Sequence, residues 1–236
     1  MLQPVSRCGS HFCSAFETPN KFCCLVFSRK TLGILVIKDK YNKYRELSRA
    51  QRRGKDFRVR FRKRNGKTIV LAPHGGGIEP GTSEIADAIG GADLSFYAFE
   101  GIKPRRNREL HITSTHFDEP RCKALITVAD RVIAIHGQNG NQDEALLGGR
   151  DLVTIRRLRQ SLEQDGFHIE VGGSPQLQGG SADNICNCGA QGRGVQIEIC
   201  DGMRRTFFQD MRTRRGRRIK TERFRDFVSA VRRVIA

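Results

Sequence analysis

Two histidines and two glutamates carry most of the chemical potential of this 236-residue chain. The first pair lies in Ile69-Val-Leu-Ala-Pro-His74-Gly-Gly-Gly-Ile-Glu79, where His74 ends an apolar run and the glycines let Glu79 fold back toward it. A second apolar run, Arg131-Val-Ile-Ala-Ile-His136-Gly, ends on His136. Imidazole and carboxylate are favoured zinc ligands, and a catalytic zinc takes three protein ligands with a fourth position open to water. His74, Glu79 and His136 would supply such a set. The glycines at 75–77 have a competing use as a phosphate-binding turn before a helix. The segment lacks the G-x-x-x-x-G-K-[ST] pattern, however, and its flanking residues suit a metal better. Zinc hydrolysis also needs a carboxylate that is not a ligand, to take a proton from the attacking water. Glu198, in Gly194-Val-Gln-Ile-Glu-Ile-Cys200, is the choice for this base, although strict alternation along that segment would turn it toward solvent.

These residues need a scaffold that brings strand ends together. Arg131–Ile135 and Thr68–Ala72 read as buried strands, and in open α/β sheets sites form outside the carboxyl ends of the strands. Lys40–Gly54 reads as a basic helix, and Asp56–Lys63 alternates Phe57, Val59 and Phe61 with charged residues as a half-buried strand. Asn65-Gly66 predicts a tight turn joining that strand to Thr68–Ala72 as a hairpin. Further on, Thr82 or Ser83 caps a helix through Ile89, and Asp93–Phe99 is extended. Asp118 with Pro120 opens a helix to about Ala129. Asp151 caps Leu152–Gln164, Gly166 stops it, Phe167–Val171 resumes a strand, and Glu222–Val234 is a final amphipathic helix. The rhythm of strand, helix and strand predicts one α/β domain with its sheet covered on both faces. Gly172–Gly194 is a long glycine-rich loop, of the kind that is usually functional or disordered.

Charge is unevenly spread: 18 basic residues against 4 acidic in 1–70, 12 against 18 in 71–203, and 12 against 3 in 204–236, within a formal net charge of +17. A balance of this kind favours polyanionic partners without specifying a fold. The run Arg212–Lys220 reads as a solvated basic tail. The eight cysteines show no framework typical of small secreted domains, and neither a clean signal peptide nor a long apolar segment is visible. The sequence therefore predicts a cytoplasmic protein with no membrane span. Residues 1–38, which include Cys8-x-x-His11-x-Cys13, show no period and read as an unstructured or atypical extension ahead of a catalytic domain at 39–236.

Several ordered blocks resemble one family. Ala72-Pro-His-Gly-Gly-Gly-Ile-Glu-Pro-Gly-Thr-Ser-Glu84 is similar to the signature of the poly-gamma-glutamate hydrolases of bacteria and phages. Ser95–Gly101, Leu110-His-Ile-Thr-Ser-Thr-His-Phe-Asp118, Ala134–Gly137, Leu147–Gly149, Leu177–Gly179, Asp183–Asn187 and Gly194–Glu198 follow in the family's order. The resemblance covers roughly Asp39 to the end. It implies a three-layer fold similar to the zinc carboxypeptidases, with a mixed, mostly parallel sheet between helices. It also implies Zn2+ on His74, Glu79 and His136, Glu198 as the base, and an acidic polymer, poly-gamma-glutamate, as substrate. Asn184, Asn187, Arg108, Arg150 and Arg193 are the expected substrate-binding residues, and the three arginines stand equally as cations for the oxyanion. After Asn187 the family pattern leads one to expect an Arg, where this chain has Cys188; Arg193 is the nearby substitute for holding a substrate carboxylate. His111 and His116 are expected to support the site, with Asp118 or a backbone carbonyl as hydrogen-bond partner, and His168 to be structural. The expected state is a monomer without nucleic acid or membrane partners. The competing readings are a zinc deacylase or carboxypeptidase on a small amide, and a non-enzymatic nucleic-acid-binding protein resting on the basic ends.

Overall fold

The computed structural model describes residues 39–172 and 178–236. The extension expected over 1–38, its Cys8–Cys13 motif and the centre of the glycine-rich loop lie outside the described residues. In chain order the elements are α1 (Tyr44–Ala50), β1 (Phe57–Arg62), β2 (Thr68–Gly76), α2 (Thr82–Gly90), β3 (Ser95–Gly101), α3 (Pro120–Ile126), β4 (Arg131–Gln138), β5 (Glu144–Gly149), α4 (Leu152–Gln164), β6 (His168–Val171), β7 (Val195–Cys200), α5 (Asp201–Thr206) and α6 (Glu222–Ile235). Short 3₁₀ turns occupy Asn107–Leu110, Ile185–Asn187 and Gly216–Arg218.

The strands form one sheet in the order β1-β3-β2-β4-β7-β5-β6. β3, β2, β4 and β7 run parallel, β1 is antiparallel to β3, and β5 is antiparallel to β7 while parallel to β6. Helices cover both faces, which is why β2 and β4 read as nearly continuous apolar runs. On one face Ile85 and Ile89 of α2, Leu158 and Leu162 of α4 and Phe227 and Val231 of α6 pack over Val70, Ile133, Ile135 and Ile197. On the other, Leu47 of α1 and Cys122 and Leu125 of α3 cover Ile69, Leu71, Tyr97, Phe99 and Val132. The expected three-layer mixed sheet is the one observed.

Local chemistry explains most of the boundaries. The Asp151 carboxylate caps α4 by accepting from Thr154 N at 3.1 Å, and Thr221 caps α6 by accepting from Phe224 N. Glu119, one residue after the expected Asp118, caps α3 by accepting from Cys122 N at 2.8 Å; Asp118 instead accepts from Tyr44 N. Gly81, in the left-handed region, precedes α2, and the Thr82 hydroxyl donates to Glu79 O. The basic helix expected over Lys40–Gly54 is confined to α1. The expected hairpin is absent: β1 pairs with β3, which lies between it and β2. Asn65-Gly66 makes the turn, but Phe61 lies opposite Tyr97 of β3 rather than a residue of β2. His168, expected inside an apolar strand, stands exposed on edge strand β6 near Glu144 and Glu170. The run Arg212–Lys220 is only partly a solvated segment. Arg217 is 4% exposed, and its guanidinium donates to Glu84 at 2.8 Å and to Met211 O at 2.6 Å.

Two irregularities prepare the site. The pairing of β2 with β3 slips between Ala72 and Gly75, so that Pro73 and His74 form a bulge; Pro73 has no N–H to give the ladder, and a bulge re-aims the side chain beside it. β2 and β4 stay paired only as far as Leu71 and Ala134, whereas β4 remains paired with β7 to Gln138 and Cys200. The sheet thus opens between β2 and β4 at its carboxyl edge, where His74 and His136 stand.

Candidate metal and catalytic site

The opening gathers the residues singled out by type and spacing. His74 is 2% exposed, and its Nε2 lies 2.8 Å from Ile112 O. We assign a proton to that nitrogen, because a carbonyl only accepts. Nδ1 then faces Glu79 Oε1 at 3.1 Å and His136 Nδ1 at 3.2 Å. The second oxygen of Glu79 accepts from Gly137 N at 2.8 Å and lies 3.9 Å from His136 Nδ1. One carboxylate is therefore held by the backbone just after His136 while facing both rings. Gly76 keeps the turn between His74 and Glu79 compact: its φ is +68°, and a Cβ there would come 2.5 Å from Gly101 O.

Electrostatics follows from this crowding. Burial works to raise the Glu79 carboxyl, but the adjacent His74, by charge and hydrogen bond, brings it down to about 2. Burial opposes charge on His74, yet Glu79 beside it raises its value above that of an ordinary histidine. His136 is lowered to about 3 by burial and then by the charge on His74. In the metal-free cluster a proton therefore favours His74 over His136.

Glu198 lies directly across from His136 in the β4–β7 register. Alternation along β7 had suggested a solvent-facing side chain, but the neighbouring strands and loops cover it, and it is only partly exposed. Burial, and then the nearby negative charge of Glu79, push its carboxyl up to about 8. Gln196, two residues earlier on the same face, donates to Glu198 Oε1 at 3.2 Å and accepts from Asn184 Nδ2 at 2.9 Å. Asn184 and Asn187, expected to bind substrate, have their amides engaged by protein. Asn184 Oδ1 accepts from Cys186 N, while Asn187 donates to Gly179 O and Ser181 O and accepts from Gly194 N at 3.0 Å. Asn184 is linked to Glu198 through Gln196, whereas Asn187 ties Arg150 N and Gly194 N together at the amino end of β7.

Sequence reasoning understated His111 and passed over Asp39 and Arg204. The His111 ring lies over His74 with centroids 4.0 Å apart, and its Nε2 is 3.8 Å from Glu79 Oε1. His74, Glu79 and His111 offer donor atoms all within 4.8 Å of one another, so His111 is a fourth potential donor. Its partner is neither Asp118 nor a carbonyl but Asp39, whose Oδ1 lies 2.7 Å from His111 Nδ1 and whose Oδ2 accepts from Thr113 N at 2.6 Å. His116 is exposed and stands outside this cluster. Arg204, 2% exposed, spends its guanidinium on Ile199 O, Pro80 O, Gln138 O and Asp201. One cation thereby ties together the segments that follow Glu198, Glu79 and His136.

The structure separates the three arginines. Arg108 is exposed and three residues from His111. Arg150 and Arg193 flank the opposite edge of the sheet, where Gly149 pairs with Val195. Arg193 lies outside β7, two residues before its first residue, Val195, at the amino end of the strand that carries Glu198. Cys188 is half-buried against an apolar cluster, with its thiol directed at Asn184 O, and nothing at that position holds a carboxylate.

The fold that carries this cluster, and the sequence that builds it, have counterparts among known proteins. The chain is 37% identical over 182 residues to UPF0714 protein YmaC of Bacillus subtilis (strain 168), covering 76% of this chain and 77% of that one. It is 32% identical over 198 residues to the SPbeta prophage-derived UPF0714 protein YoqZ of the same organism, covering 84% and 72%. Its fold superimposes on a bacteriophage poly-gamma-glutamate hydrolase with a TM-score of 0.80 at 31% identity, over 84% of this chain and 96% of that one. The zinc-free apo form of YNDL gives 0.77 at 33% identity, over 84% and 97%. The profile of the poly-gamma-glutamate hydrolases matches residues 41–230, a span holding every site residue discussed except Asp39, and the chain belongs to that family.

Proposed function

We propose that this protein is a zinc-dependent hydrolase that cleaves the γ-glutamyl amide bonds of poly-γ-glutamate, with His74, Glu79 and His136 as the ligands and Glu198 as the general base. The carrying observation is the separation of the donor atoms. His74 Nδ1 stands 3.1 Å from Glu79 Oε1 and 3.2 Å from His136 Nδ1. Ligands about 2.0–2.1 Å from one tetrahedral zinc stand about 3.3 Å apart, so each of these two separations fits a shared cation. Two imidazoles and one carboxylate around an open position form a donor set used by catalytic zinc, and the placement of His74 Nε2 on Ile112 O and of Glu79 on Gly137 N supplies the outer hydrogen bonds that orient such ligands.

Zinc bound there would polarise the scissile carbonyl and acidify a water molecule. The remaining work falls to the chain. Glu198 removes a proton from the attacking water and delivers it to the departing amine. A bound cation would bring its raised proton affinity down toward the neutral range, where both transfers are feasible, and the hydrogen bond from Gln196 fixes the carboxylate for them. His111, with Nδ1 protonated toward Asp39, turns an accepting Nε2 toward the cluster and can hold water or substrate N–H there. Arg108 is the arginine of the three best placed for the oxyanion. The family and the bacteriophage hydrolase support the polymer as substrate.

The test is incubation of poly-γ-glutamate with the zinc-loaded protein, followed by gel filtration, with chelator and Glu198→Gln controls. Chain shortening that needs metal, and that falls about 100-fold or more in a Glu198→Gln protein retaining zinc, is expected. An intact polymer alongside zinc-dependent cleavage of small acyl amides would overturn the substrate.

A further inference from the structure

Basic residues from β1 and from the C-terminal segment meet in space. Arg58 and Arg60 of β1 and Arg214, Arg217, Arg218 and Lys220 of the C-terminal segment line a cavity of about 250 Å³. Glu84 and Glu100 also line it, but both are already matched: Glu84 accepts from Arg217, and Glu100 pairs with Arg58 and Arg60. Arg60 is further shared with Asp87. Among the described residues, Arg214 and Arg218 make no side-chain hydrogen bond or ion pair, and Lys220 has only the face of the Phe224 ring. Six cations therefore face two carboxylates in the lining, and three of them, Arg214, Arg218 and Lys220, have no carboxylate partner among the described residues.

Its position gives that surplus a use. Gly76, two residues beyond His74, lines the cavity, and Glu100 is the register partner of Gly75. The cavity sits at the same carboxyl edge of the sheet as His74, His136 and Glu198, displaced by one strand toward β3 and β1. Arg217 anchors its far wall, being buried and bound to both Glu84 and Met211 O, so the free guanidinium groups of Arg214 and Arg218 rise from an anchored turn on either side of it. Guanidinium forks match carboxylates in bidentate fashion. In a γ-linked polymer every unit presents a free α-carboxylate, so a chain crossing the metal cluster carries a regular row of anions past this edge.

We propose that the cavity formed where β1 meets the Arg214–Lys220 segment is a carboxylate-binding subsite, which holds the α-carboxylates of the poly-γ-glutamate chain a few units away from the bond being cut. The inference rests on the substrate proposed above and adds where the polymer is held. A polynucleotide is the competing polyanion, but the row offered here is short, aromatic residues for base stacking are absent from the lining, and the turn lies beside the hydrolytic cluster.

The experiment compares wild type with the Arg214→Gln/Arg218→Gln double variant, both zinc-loaded, on long poly-γ-glutamate and on a short γ-glutamyl oligomer too small to reach the cavity. The expected result is a KM for the long polymer raised about tenfold, from two exposed ion pairs lost, with kcat and short-oligomer turnover unchanged and with a flatter dependence on salt. Binding of labelled polymer to zinc-loaded Glu198→Gln protein, with and without the double substitution, is read in parallel. If wild type cleaves nothing but binds polymer through these arginines, the subsite stands and the hydrolytic reading falls. Equal polymer binding with and without Arg214 and Arg218, or a loss seen for duplex DNA and not for the polymer, would overturn the subsite.

Discussion

Replacing Arg204 with Met is expected to loosen the candidate metal site without touching a ligand. The guanidinium donates to Ile199 O at 3.0 Å, Pro80 O at 2.6 Å and Gln138 O at 3.0 Å, and reaches Asp201 at 3.2 Å. Those carbonyls belong to residues one after Glu198, one after Glu79 and two after His136. Methionine fills similar space but leaves three carbonyls short of a donor in a site 2% exposed. Each unsatisfied group costs about 1–3 kcal/mol, and removing one partner of a buried charged network costs about 3–5 kcal/mol in all. For a domain of this size that corresponds to a fall in Tm of roughly 6–20 °C. The three segments would also lose their common anchor, and groups that orient ligands typically change metal affinity by about 10–100-fold. The assays are thermal unfolding of the metal-free protein and zinc competition with a chromogenic chelator. Arg205→Gln is the control, because its neighbouring guanidinium is exposed and pairs with the same Asp201; it should cost under about 1 kcal/mol and leave zinc binding unchanged. Arg204→Met protein with wild-type zinc affinity and a stability loss below about 1 kcal/mol would refute the reasoning.

Two further outcomes bear on the same site. His136→Ala should abolish tight zinc binding while His111→Ala retains it, read by elemental analysis of purified proteins; the opposite pattern would make His111 the third ligand. In the metal-free protein Glu198 titrates at about 8 against an ordinary value of 4.5. Because the folded value is raised, its contribution to stability is complete below about pH 4.5 and is lost as pH rises through about 8, a change of about 3–5 kcal/mol. Glu198→Gln should flatten that decline in denaturant unfolding at pH 5 and pH 9, and an identical decline in the variant would place the titrating group elsewhere.

What could be read from sequence was governed by how local each signal is. His74, His136 and Glu198 each sit within an apolar run, and a run buried on both faces has a predictable end; their convergence followed from the rule that α/β sites gather at carboxyl edges. The hairpin reading failed because Asn65-Gly66 specifies a turn but not which strand is the partner, and β3, 30 residues on, takes the place beside β1. β5 was missed because Glu144–Gly149 is six residues long and ends in two glycines, too short for a period to register. His111 and Asp39 are 72 residues apart, and no spacing announces a pair of that kind. Arg204 and Arg217 are two among 42 basic residues. Their burial depends on carbonyls and carboxylates brought from distant segments, so a residue that reads as surface charge becomes an internal brace.

The placement of charge answers a difficulty inherent in the proposed chemistry. Glu79 and Glu198 put carboxylates at the centre of a site that must receive a polycarboxylate, and repulsion between buried like charges is strong. Within the cluster, Glu79 is offset by His74 in the metal-free protein and would be offset by the zinc proposed here; Glu198, raised to about 8, carries little charge of its own at neutral pH until that cation lowers its value. The approach to the cluster is where compensation is needed. Exposed Arg108, and Arg214, Arg218 and Lys220 beside the β1 edge, stand without carboxylate partners among the described residues, whereas the acidic excess of residues 71–203 is spent largely on ion pairs and on the cluster itself. Among the described residues, cations from β1 and from the Arg214–Lys220 segment are thus brought together by the fold beside the region that a polyanion would enter. Steering of that kind raises the association rate and is screened by salt. The second-order rate on long polymer should therefore fall steeply between low and moderate ionic strength while kcat at saturation stays level, and a rate indifferent to salt would detach the basic ends from catalysis.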